Sequence, residues 1–109
     1  MLAALLLGAC IPNQALDKDS VRQMVEESLS NWPGMVDVHD IYLSGDYALG
    51  LWTQGERDGD ALLVRRDGRW SMMLCGTRPL RTQAALMRAG VPDYAAETLA
   101  RKIVEDRRS

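Results

Sequence analysis

Ala61-Leu62-Leu63-Val64-Arg65-Arg66-Asp67-Gly68-Arg69-Trp70-Ser71-Met72-Met73-Leu74-Cys75 decides the fold. Two apolar runs flank Asp67-Gly68, and glycine accepts the positive φ that a primed two-residue turn demands, so the stretch predicts a β-hairpin. Side chains alternate along a strand. A two-residue turn therefore sets Arg65 opposite Trp70, Leu63 opposite Met72 and Ala61 opposite Leu74, which predicts one buried face. The other face takes Leu62, Val64, Arg66, Arg69, Ser71, Met73 and Cys75.

Upstream, the pattern stays short, β-branched and aromatic between turns. Val36 to Leu43 reads as a strand, Ser44-Gly45-Asp46 as a tight turn, and Tyr47 to Gln54 as a second strand. A looser turn over Gly55 to Gly59 leads into the third strand at Ala61. Four strands in chain order make an antiparallel meander. In the first hairpin Val36, Val38 and Tyr42 share a face with Tyr47, Leu49 and Leu51, the expected core side.

Helices flank this sheet. Val21, Met24, Val25, Leu29 and Trp32 recur at helical spacing. Asp19 or Ser20 can cap that helix, Ser20 with Gln23 forms a capping box, and Pro33-Gly34 stops it. Downstream, Thr77 with Pro79 opens a helix that runs to Ala89 and ends at Gly90. A second begins at Val91-Pro92, with Ala95, Ala96, Leu99, Ala100, Ile103 and Val104 as its apolar side. The expectation is an α+β domain over residues 18–109: an N-terminal helix on a curved four-stranded antiparallel sheet, then a C-terminal helical hairpin. In outline it is like cystatin or nuclear-transport-factor-2 folds.

The first ten residues, MLAALLLGAC, carry no charge. They are too short for a bilayer, which takes about 20 residues, and they fit the apolar core of a signal peptide. Leu7-Gly8-Ala9-Cys10 is similar to a bacterial lipobox, in which the cysteine is lipidated. The expectation is export to the periplasm, with Cys10 as a lipid anchor to the outer membrane and residues 11–17 as a linker. An unlipidated Cys10 could instead pair with Cys75 in an oxidising compartment. A lipidated one leaves Cys75 a lone thiol.

A net charge of −2 and a pI near 5.3 argue against general nucleic-acid affinity. Charge is nevertheless uneven. Residues 17–60 carry ten acids and three bases, whereas residues 65–88 carry six arginines against Asp67. Either the two stretches neutralise each other in the fold, or Arg66, Arg69 and Arg81 present a basic surface to an acidic partner.

Catalytic chemistry is poorly supplied. The single histidine, His39, adjoins Asp40, and successive strand residues point to opposite faces, so no dyad is expected. No glycine-rich phosphate loop or zinc-type spacing is present. The expectation is a protein that is not an enzyme. Soft-metal chemistry has more to work with, because Met73 and Cys75 stand two apart on one strand, on one face, and thioether and thiolate suit Cu(I).

The string from Gly45 to Gly76 resembles the copper uptake system-associated proteins, small exported proteins of proteobacteria. The resemblance rests on Gly45-Asp46-Tyr47-Ala48, Trp52, Gln54-Gly55-Glu56, Ala61-Leu62-Leu63, Asp67-Gly68-Arg69-Trp70, Leu74-Cys75 and Ala89-Gly90-Val91-Pro92. Met72-Met73 departs from it, standing where that family has aliphatic residues. The resemblance implies an association with copper acquisition, and it supplies neither ligands nor a mechanism. Residue chemistry offers Cys75, Met73 and His39 as candidate Cu(I) ligands, and a periplasmic copper chaperone or another acidic protein as partner. Two alternatives stand beside it. One is a metal-free lipoprotein that docks through its arginines. The other is a small-ligand binder with a pocket lined by Tyr42, Tyr47 and Leu49.

Overall fold

The computed structural model describes residues 14–108. Helix α1 (Gln14–Ser28) precedes strands β1 (Val36–Ser44), β2 (Tyr47–Gln54), β3 (Arg57–Arg66) and β4 (Arg69–Gly76), and helices α2 (Gln83–Arg88) and α3 (Asp93–Arg108) follow. The strands pair antiparallel in the order β1-β2-β3-β4. This is the expected meander, with the expected helices before and after it.

The sheet is covered on both faces rather than one. Val21, Val25 and Leu29 of α1 pack with Val38, Ile41, Leu43, Ala48, Trp52, Ala61, Leu63 and Trp70. Leu49, Leu51 and Leu62 point the other way, into Leu86 of α2 and Ala95, Ala96, Leu99 and Ile103 of α3. Central strands buried on both sides have no polar face to show, which is why β2 and β3 read as nearly continuous apolar runs.

Two β-bulges reassign the faces. His39 is the extra residue between Val38 and Asp40 on β1, and Met73 is the extra residue between Met72 and Leu74 on β4. Each bulge flips side-chain parity beyond it. Val38 therefore faces α1 while Tyr42 faces α3, so they do not share a side as strict alternation predicts. Leu62 instead of Ala61 pairs with Leu74, and Ala61 pairs with Cys75.

Several boundaries also differ from expectation. The helix already includes Gln14 to Asp17, inside the expected linker, because Arg65 Nη1 holds both Asp17 carboxylate oxygens at 3.0 Å. It ends at Ser28, which leaves Trp32 beyond it and 56% exposed. Gln54 Nε2 donates to the carbonyls of Leu29, Trp32 and Gly34, tying down the chain where it leaves the helix. The β2–β3 turn is tight, with Gln54 opposite Arg57. Residues 77–82 are not helical: Asp60 accepts from the Leu80 amide at 2.7 Å and binds Arg81, so Thr82, not Thr77, caps α2. Lipidation at Cys10, its alternative disulfide and the export segment concern residues outside those described. Among the described residues no helix is long and apolar enough to cross a membrane.

Candidate functional site

Cys75 lies on β4 with its thiol half-buried. The Met73 bulge turns it toward the α1 face, where Cys75, Met72 and Met24 each pack against the same core cluster. Met73 itself lies on the opposite face, beside Gly90 and the α2–α3 cluster. The expected Met73–Cys75 pair is thus divided by the sheet. Met72 takes its place.

Trp52 completes the surroundings of the thiol. It stands on β2 opposite Gly59 of β3. A Cβ at Gly59 would fall 2.5 Å from Trp52 Cζ2 and 2.9 Å from Cε2. Only a glycine there lets the indole lie across β3 toward β4. Trp52 is 1% exposed, and its Nε1–H finds no oxygen or nitrogen acceptor. The group it acts on is Cys75: burial pushes the thiol pKa up, and the indole N–H and the Arg57 guanidinium pull against that rise, with a net increase.

Arg57 is held in place by aromatic faces. Its Cζ lies 4.5 Å from the Trp32 ring centroid and 5.8 Å from that of Trp52, and Nη2 donates to Gln54 Oε1 at 2.7 Å. The thiol therefore sits among hydrogen-bond donors and positive charge.

His39 is elsewhere. It lies on β1, one edge of the sheet, and Cys75 lies on β4, the other edge. Three strand spacings of about 4.8 Å separate them, which removes both a Cys–His catalytic pair and a shared metal site. His39 does meet Asp40, with Nδ1 3.1 Å from Oδ2, contrary to the strict alternation of side chains. The bulge brings the neighbours together. Both are solvent-exposed. Among the described residues no group of three or more His, Cys, Asp or Glu could hold a metal ion.

Part of the compositional charge asymmetry resolves within the fold. Arg65 binds Asp17 and Asp46, and Arg81 binds the buried Asp60. Arg81 thus leaves the expected docking surface. Arg66 and Arg69 stay exposed, paired across the Asp67-Gly68 turn.

Leu49 is fully buried, with Tyr42 and Tyr47 packed against the same cluster, so the three do not line an open pocket together. A groove of about 530 Å³ runs instead along the β1 edge between α1 and α3, past Lys18, Arg22, His39, Tyr42 and Lys102. Tyr42 donates to Asp106 at 2.7 Å, and Lys102 Nζ donates to the Leu43 carbonyl at 2.6 Å. That lysine and the bulge guard the strand edge against further pairing.

The chain matches no protein-family model, no curated protein and no solved structure. Sequence reasoning missed Trp52, Arg57 and Met72 as neighbours of the thiol. One signal pointed to them: glycine in a strand interior, here Gly59, often marks a close approach by another group.

Proposed function

We propose that this is a non-enzymatic accessory protein of copper acquisition, exported to the periplasm, that takes Cu(I) weakly through Cys75 with Met72 as second sulfur. One observation carries the reading: the Met73 bulge turns Met72 and Cys75 to the same side of an edge strand, with Met24 of α1 in the same cluster. Thiolate and thioether suit a soft monovalent ion. The sequence resemblance points to the same metal, which is the cargo here and not a resident cofactor.

Binding requires the thiolate, so Cu(I) displaces the thiol proton. Burial raises the Cys75 pKa above its ordinary value. Apparent affinity then climbs about tenfold per pH unit up to that raised pKa. Titration of the reduced protein with Cu(I) against a chromogenic chelator tests the reading. Wild type and Met73→Leu compete alike, Met72→Leu competes less, and Cys75→Ser does not compete. Equal, negligible competition by wild type and Cys75→Ser would remove direct metal binding.

The exposed Arg66 and Arg69 support a second reading, a metal-free lipoprotein that docks an acidic periplasmic partner through this hairpin end. Charge reversal at both positions abolishes such docking in a pull-down, and unchanged partner recovery argues against it.

A further inference from the structure

We propose that the outer edge of β4 docks an extended acidic segment of a partner protein, which adds to the sheet as a further strand along Arg69 to Met72. The inference deepens the arginine-docking reading, rests on it, and needs no metal. β4 ends the strand order β1-β2-β3-β4, so its outer side has no neighbouring strand. Asp67 and Gly68 both take positive φ, 53° and 77°, which makes Arg66 and Arg69 the hydrogen-bonded pair of a two-residue hairpin. Bonding alternates along an antiparallel ladder, so Trp70 and Met72 turn their N–H and C=O groups outward. The Arg65 amide fits this alternation, since it donates to the Asp46 carbonyl at 2.7 Å and not to Trp70 across the ladder. On the other edge of the sheet, Lys102 covers the Leu43 carbonyl of β1. β4 carries neither lysine nor proline, the residues that commonly blunt an edge. The Met73 bulge breaks regular pairing beyond Met72 and so sets the length of the added strand.

Charge selects the occupant. No acid stands between Asp67 and Asp93, while the same stretch carries Arg69, Arg78, Arg81 and Arg88. Arg81 is bound to Asp60, and the other three are exposed, as is Arg66. A second copy paired antiparallel through β4 sets the Arg69 end of one chain beside the Arg78 end of the other, like charge against like. An acidic segment meets attraction at the same places. On the α1 side a groove of about 360 Å³ opens beside the edge, with Met24 and Trp70 as its apolar lining. Glu27 also lines it, accepting from Gln23 at 3.2 Å, so the groove suits an uncharged side chain and not a carboxylate. Neighbouring residues of an added strand point to opposite faces. The segment that fits therefore seats an apolar residue against Met24 and Trp70 and places acids before and after it, within reach of Arg66 and Arg69. Backbone hydrogen bonds hold such a strand, and its alternate side chains give specificity.

The test titrates the isotope-labelled full chain with a capped hexapeptide of alternating aspartate and valine, and with its lysine-and-valine counterpart. Wild type binds the acidic peptide and not the basic one, and binding protects the Trp70 and Met72 amides from hydrogen exchange. Met72→Pro removes one outward N–H, a change that strand edges accept, and weakens binding about fivefold, the worth of one hydrogen bond. Reversing Arg66→Glu and Arg69→Glu together weakens it further. If Met72→Pro does not fold, protection of the two amides in wild type decides the matter. Binding that falls on charge reversal yet leaves both amides unprotected overturns the strand addition and keeps the arginine docking. Binding indifferent to charge reversal and to peptide charge overturns both. Protection that grows with protein concentration in the absence of peptide gives the edge to a second copy and overturns the proposal. Absence of saturable binding overturns it too, and the pull-down with both arginines reversed then judges the wider docking reading by itself.

Discussion

At the scale of single residues, Gly59 and Trp52 form one unit, a missing side chain and the ring that fills its place. Replacing Gly59 with alanine forces a methyl into the indole and the Gly76 carbonyl. Overpacking of this kind costs about 1–3 kcal/mol, so Gly59→Ala lowers the unfolding free energy read from urea denaturation by that much. The same substitution moves the indole off Cys75 and alters thiol reactivity even where the protein stays folded. In wild type the thiol is protonated at neutral pH, since burial outweighs the Trp52 and Arg57 donors and raises its pKa. Alkylation by iodoacetamide therefore speeds up about tenfold per pH unit and keeps rising beyond the usual thiol range. A plateau near neutral pH would show that the positive neighbours win instead. None of this follows from residue spacing, because Trp52 and Arg57 come from β2 and β3, more than a dozen positions away in the chain from Cys75.

At the scale of elements, two side chains tie loops to the sheet. Asp60 is 1% exposed and holds both the Leu80 amide and the Arg81 guanidinium. Asp60→Ala leaves a buried amide and a half-buried cation without their acceptor, a change that costs about 3 kcal/mol. Chemical denaturation measures that loss, and hydrogen exchange at Leu80 rises with it. Gln54 plays the same part at the end of α1, with three carbonyls on one amide nitrogen. The existence and order of all four strands were legible in the sequence, because turn chemistry at Gly45-Asp46 and Asp67-Gly68 marks them. The bulges at His39 and Met73 were not legible. A bulge changes only the local pairing, and nothing in Val-His-Asp or Met-Met-Leu distinguishes an extra residue from a regular one. That single uncertainty misassigned Met73 as the partner of Cys75, because a shift of one residue moves every later side chain to the other face.

At the scale of the whole molecule, the β1 edge is closed by α3 through Tyr42 and Lys102. Burial, the hydrogen bond to Asp106 and the nearby Asp40 raise the Tyr42 pKa far above that of a free phenol, with Arg107 opposing them. The neutral phenol is the form that the fold stabilises. Its contribution is complete below the unfolded-chain pKa of about 10 and is lost as pH rises from there toward the folded value. Wild type therefore loses more stability than Tyr42→Phe between neutral and strongly alkaline pH, as thermal melts at each pH read out. Equal losses would mean that Tyr42 ionises in the fold as it does in the open chain. Turn residues, apolar periodicity and helix stop signals, all local features, determined a helix, a four-strand meander and two closing helices from the sequence alone. Which face each strand residue occupies, which arginines remain exposed and what surrounds Cys75 were decided only by the tertiary structure. Those depend on bulges and on ion pairs such as Asp17–Arg65 and Asp60–Arg81, contacts between residues 48 and 21 positions apart that no local pattern encodes.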